Sequence, residues 1–164
     1  MKDLDHLALD NPFWQFSLLQ WKNDNLQQQL LNLQDNGNFR INLLLLAMWL
    51  SFEHKDIRSH YQELIAKSSQ WHKQIVAPIR NARKALPRQL SNQSQAFKNQ
   101  LQTCELQAEQ IEHALLYQTS LGIPKSDCKL FRGHSCYEVV LPFFYRRYFG
   151  GRINRPVFCR QARW

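Results

Sequence analysis

A chain of 164 residues with 44% hydrophobic residues is the size of one domain and holds enough apolar surface for a real core. Only five glycines and six prolines punctuate it, and that scarcity of turn residues argues against an all-β fold and for helices. The net charge of +8 is unevenly placed: residues 1–124 carry 12 Lys/Arg against 11 Asp/Glu, and residues 125–164 carry nine against two. The expected organisation is therefore a near-neutral helical body, 1–124, followed by a basic C-terminal tail, 125–164.

The N-terminus, Met1-Lys2-Asp3-Leu4-Asp5, is charged and lacks the apolar run of a secretory signal, so a cytoplasmic protein is expected. Asn11-Pro12 reads as an N-cap with proline at the first helical position. The helix it opens places Trp14, Leu18 and Trp21 on one face. Asp24 is the expected cap of a second helix with Leu26, Leu30 and Leu33 inward, ended by Asp35-Asn36-Gly37-Asn38 with Gly37 in a left-handed C′ position.

A third helix, Arg40 to Phe52, is apolar nearly all round and should be the most buried element. Its apolar run, Ile41 to Leu50, is interrupted by Asn42 and falls far short of the roughly 20 residues that span a bilayer. Ser59-His60-Tyr61-Gln62 resembles a capping box for a fourth helix. The stripe predicted to face inward there is Tyr61, Leu64/Ile65, Ser68, Trp71, Ile75, Ile79, Ala82 and Leu86. Pro78 lies inside it and should kink the helix, because it lacks an N–H and its ring meets the carbonyl of Gln74.

After a turn at Pro87–Asn92, a fifth helix repeats Phe97, Leu101, Cys104, Ala108, Ile111 and Leu115 at alternating spacings of four and three. Gly122-Ile123-Pro124 stops it. The fold class is thus all-α: about five helices, with helices four and five forming a long antiparallel hairpin. In the tail, Tyr137–Tyr145 has the composition of a strand without clean alternation, and no element is assigned.

Several segments resemble an uncharacterised family of short, tryptophan-rich, all-helical proteobacterial proteins, a domain of unknown function. They are Phe13-Trp14 with Ser17-Leu18; Leu33-Gln34-Asp35; Gly37 with Ile41–Leu45 and Trp49-Leu50; and Trp71, Ile75-Val76, Pro78-Ile79-Arg80 and Arg83-Lys84. Trp21 stands where that family suggests a tyrosine. The resemblance spans about residues 11–120 and does not reach the tail. It implies a helical fold and no established activity, and so supplies no catalytic residues.

Enzyme signatures are missing. The chain has no P-loop, no G-x-G-x-x-G, no H-E-x-x-H, no G-x-S-x-G and no paired Glu-x-x-His, so no catalytic residue, metal or cofactor is assigned. The four cysteines read as free thiols. Cys128, His134, Cys136 and Cys159 lack the tight pairs of a zinc site, and the six histidines read as surface or capping residues. Trp14, Trp21, Trp49 and Trp71 read as core. Asn42 reads as a buried structural polar contact, with Gln34, Gln70 or Gln74 as partners.

A simple antiparallel register turning at about residue 89 pairs Lys73 with Glu105 and Glu109, and Lys67 with Glu112. It leaves Arg80, Arg83, Lys84 and Arg88 facing a stretch without acids. These four form the predicted binding patch. Arg146, Arg147 and Arg152, interleaved with aromatics in the tail, are further candidate contacts. The functional expectation is a non-enzymatic interaction protein for an acidic partner, a protein or RNA. The alternative is an enzyme or small-ligand binder using a polar pocket around Asn42.

Overall fold

The computed structural model describes residues 4, 6–37, 39–55, 60–87 and 91–125. Arg88, the capping-box Ser59, three of the four cysteines, His134, and Arg146, Arg147 and Arg152 lie outside these residues, as does nearly all of the tail. The fold is all-α. Its helices are α1 (Pro12–Trp21), α2 (Asp24–Gly37), α3 (Ile41–Phe52), α4 (Tyr61–Trp71), α5 (Ala77–Ala85) and α6 (Asn92–Ser120). A π-helical stretch, His72–Val76, joins α4 to α5 in one continuous arm. This arm and α6 run antiparallel as the expected long hairpin, and α1 and α3 also pack on α6.

Local signals account for most helix ends. Asn11 Oδ1 accepts from the Trp14 N–H at 2.9 Å, with Pro12 following the cap. For α2 the cap is Asn23, not Asp24: Asn23 Oδ1 accepts from the Leu26 N–H at 3.1 Å. Asp24 is instead the first helical residue, where its charge suits the helix dipole. Gly37 is the last residue of α2 rather than the residue beyond it. Beyond α3, His54 adopts φ 57°. Lys55 N–H bonds back to Leu50 O at 2.8 Å and His54 N–H to Ser51 O at 3.1 Å, the paired bonds that close a helix on a left-handed residue. α4 begins after His60, which makes no side-chain capping bond.

Helix α3 is the centre of the core, buried without interruption from Ile41 to Ser51. Around it lie Phe13, Leu26, Leu30, Tyr61, Leu64, Leu116 and Ile123. Phe13 contacts Trp49 with ring centroids 5.6 Å apart, and Trp49 contacts Tyr117 at the same separation. Leu18, expected inward on α1, is exposed, and Phe13 and Ser17 are buried instead. The body closes beyond α6: Lys55 bridges Lys125, and Lys55 Nζ donates to Ser120 O at 3.2 Å, satisfying a carbonyl at the helix end.

The arm departs from the predicted stripe after Trp71. Ala77 N–H bonds to His72 O, five residues back, so the disturbance around Pro78 takes the form of a π-turn. Accommodating one extra residue in a turn rotates everything downstream by about 100°. The inward series becomes Ser68, His72, Val76, Arg80 and Arg83, with Val76 fully buried and Ala82 exposed. On α6 the predicted stripe is likewise displaced. Phe97 and Cys104 are exposed, and Glu105, Ala108, Glu112, Leu116 and Ser120 face inward.

Candidate functional site

The rotation of α5 brings Arg80 and Arg83 against the acidic side of α6. Arg80 Nε donates to Glu105 Oε1 at 2.8 Å, and Arg80 Nη2 pairs with Glu109. Arg83 Nε pairs with the other Glu105 oxygen, and its Nη2 reaches Oε1 at 3.2 Å. Lys84 Nζ bonds Asp35 at 2.9 Å on the exposed surface. The expectation that this segment meets no acid is therefore corrected. Its partners lie further along α6 than a plain antiparallel register allows, and Asp35 comes from α2. Lys67 and Lys73, assigned to these acids by that register, are exposed.

The arginine–glutamate charges are largely removed from solvent, with side-chain exposures of 15% for Arg80 and 8% for Glu105. Burial works to raise the Glu105 carboxyl, but hydrogen bonds from Arg83 and Arg80 outweigh it and hold Glu105 below the usual carboxylate range. Glu109 goes the other way. Its burial outweighs the Arg80 charge, and Glu105 and Glu112 nearby add to the upward shift. The hydrogen bond to Glu105 raises Arg83 further. Arg80→Glu is expected to cost about 2 kcal/mol of unfolding free energy, because it leaves buried acids facing a like charge. Lys84→Glu should change stability by less than about 0.5 kcal/mol. Chemical denaturation of the two variants checks the contrast, and equal effects would show that the buried pairs contribute nothing special.

One turn further along α6, Glu112 is fully buried and gathers three side chains. Asn42 Nδ2 donates to Glu112 Oε2 at 2.7 Å, Arg40 Nη2 pairs with Oε1, and His72 Nδ1 lies 3.2 Å from Oε1. Arg40 Nη2 also donates to Ser68 Oγ at 2.8 Å. Burial pushes the Glu112 carboxyl up, but the His72 hydrogen bond and the Arg40 charge overcome it and keep the group below its ordinary range. Asn42 is thus the expected structural polar contact, but its partner is an acid 70 residues away, not a glutamine.

His113 is 3% exposed and corrects the reading of the histidines as surface or capping groups. Its ring stacks on Phe13 with centroids 4.6 Å apart, and Trp14 meets it edge-on at 5.1 Å. Nδ1 lies 2.9 Å from the Glu109 backbone oxygen, whereas Nε2 is buried with no partner among the described residues. Burial lowers the ring's pKa to about 4, so it is neutral near pH 7. A buried acceptor left open costs about 1–3 kcal/mol, which makes it an informative atom.

Asn42, Arg80, Arg83, Glu105, Glu109 and His113 meet around one cavity of about 440 Å³ between α1, α2, α3, α5 and α6. Trp14, Trp21 and Leu45 supply apolar walls. Leu18, Leu31 and Leu106, all more than a third exposed, also line it. Trp14 and Trp21 therefore serve cavity as well as core, whereas Trp49 belongs to the core alone and Trp71 donates Nε1–H to Ala108 O at 2.9 Å. Sequence reasoning named the acids of α6 but gave them to Lys67 and Lys73, and so missed their inward face and their true partners. Their signal was present as Glu105, Glu109 and Glu112 at spacings of four and three, the same period that was read from the apolar residues.

A family model described as a protein of unknown function, DUF2390, matches residues 12–116. The chain belongs to this family. All the cavity-lining residues fall inside the DUF2390 match, and residues 117–164 fall outside it. No curated protein and no solved structure matches the chain. Among the described residues, no helix is long and apolar enough to cross a membrane.

Proposed function

We propose that this DUF2390 protein binds a small molecule in the cavity between α1, α2, α3, α5 and α6. The observation that carries the reading is the convergence of polar and charged side chains from three helices on a cavity of about 440 Å³ with tryptophan walls. That size and mixed lining are typical of small-ligand sites. A group of this kind needs several elements to be packed before it exists, which suits a site made by the fold rather than by a loop.

The competing reading, an acidic protein or RNA held by Arg80, Arg83, Lys84 and Arg88, calls for cations available to a partner. Arg80, Arg83 and Lys84 each already hold a carboxylate. A polyanion would have to displace those acids, so the cavity is favoured. Arg146, Arg147 and Arg152 keep the acidic-partner reading testable in the tail.

The test is thermal denaturation of the full chain against a small-molecule panel, with mass spectrometry of whatever survives native purification. Saturating a site at about 100 times its Kd should add about 2.7 kcal/mol of stability. Leu106→Trp, at a half-exposed lining position, should fold normally and lose that response by filling the cavity. Stabilisation that persists in Leu106→Trp would place binding elsewhere. Stabilisation only by polyanions, fading steeply with salt, would favour the acidic-partner reading.

A further inference from the structure

The cavity's inner and outer parts are told apart by how exposed its apolar walls are. Trp14, Ile41 and Leu45 line it and are buried. Leu18, Leu31 and Leu106 line it as well, and they are 38%, 37% and 51% exposed. These three leucines come from α1, α2 and α6, so the cavity meets solvent through an apolar mouth built by three helices. Single exposed apolar side chains are ordinary, but a group of them around a cavity marks a binding surface. An occupant running from the buried walls out through this mouth takes the leucines away from water. A chain of methylenes does so without asking for any polar partner.

Charge decides the other end of the occupant. Among the described residues, the charged groups of the lining are two cations, Arg80 and Arg83, and two acids, Glu105 and Glu109. They are paired with one another: Arg80 with both acids, and Arg83 with Glu105. A charged head group would find its counter-charge already taken and would bring a like charge beside it. A hydroxyl or primary amide both donates and accepts. It can join a carboxylate, a guanidinium or the amides of Gln34 and Gln102 without breaking an ion pair.

Resting on the cavity reading above, we infer that the ligand is an uncharged amphiphile, with an aliphatic chain in the leucine mouth and a hydroxyl or amide head at the ion pairs. Butanol, hexanol and octanol make the test, with octanoate and octylammonium as the charged counterparts of octanol. Each is titrated into the full chain by NMR, following the Trp14 and Trp21 indole N–H signals. Each added methylene should tighten binding about fourfold, the usual gain for burying one. Octanol should bind at least about tenfold tighter than either ion. Leu18→Ser and Leu31→Ser should each reduce the gain per methylene. Leu19→Ser, at a 63% exposed leucine outside the lining, should leave it unchanged. Should both mouth variants fail to fold, the chain-length series and the two ions in the unmodified protein decide alone. Tighter binding of either ion than of octanol overturns the uncharged head, and affinity indifferent to chain length overturns the apolar mouth. In both cases the cavity reading stands where Leu106→Trp abolishes binding. Equal losses in Leu19→Ser and the mouth variants would mean adsorption to exposed leucines at large, and overturn the proposal. No binding by any of the five overturns the amphiphile, and stabilisation by other molecules that persists in Leu106→Trp overturns the cavity reading with it.

Discussion

Glu112→Ala is expected to destabilise the protein by about 3–5 kcal/mol, the usual cost of stranding a buried charge. Glu112 is fully buried, and its removal takes the carboxylate away from Arg40, from His72 and from the buried Asn42 amide. The loss should be cooperative across the bundle, because the three partners come from the start of α3, from within α3 and from the joint between α4 and α5. Glu112→Gln, which retains an acceptor oxygen for Asn42 but loses the charge facing Arg40, should fall between Ala and wild type. Urea unfolding of Glu112→Ala, Arg40→Ala and the double variant gives a coupling energy, expected at about 1–3 kcal/mol. A Glu112→Ala variant within about 0.5 kcal/mol of wild type would show that this network is incidental to folding.

Acidification should destabilise the protein by about 3 kcal/mol between pH 6.5 and pH 4 through His113 alone. The sign follows from the folded ring's pKa of about 4 against 6.5 for an ordinary histidine. Between those values the unfolded chain binds a proton that the folded chain refuses, so falling pH favours unfolding. The contribution is fully present above pH 6.5 and has been lost by about pH 4. Glu105 and Glu112, both held below the ordinary carboxylate range, extend the loss as the pH falls further. Glu109, raised by burial, opposes it, since its folded form takes up a proton more readily than the unfolded chain. Unfolding free energies across this window should show a marked slope in wild type and a flatter one in His113→Phe. Identical slopes would remove His113 as the cause.

The two effects share one helix face. Glu105, Glu109, Glu112 and His113 lie on the side of α6 that meets the other helices, and together they give it a polar interior next to the cavity. Buried ion pairs are seldom the most stable filling for a core. Their presence here is consistent with a site that needs fixed polar groups, and it explains why the stabilising apolar contacts concentrate around α3 instead.

From the sequence alone the all-α class, the hairpin, the opening of α1 at Asn11-Pro12, the burial of α3 and the stop at Gly122-Ile123-Pro124 were all legible. Each rests on a local cause: a capping side chain, a missing N–H, or an apolar run too dense to face water. What faces what across the hairpin was decided only by the tertiary structure. A helical stripe can be extrapolated only while the turn stays at 3.6 residues, and the π-turn at His72–Val76 breaks that condition, exchanging Ala82 for Arg80 and Arg83 on the inner face. The rule that apolar residues go inside also passes over acids that are buried because another helix supplies their cations. The bonds from Arg40 and Asn42 to Glu112 join residues 72 and 70 positions apart, and no local pattern encodes them. His113 became a neutral, buried acceptor for the same reason: its environment is Phe13 and Trp14, brought to it by the packing of α1 on α6.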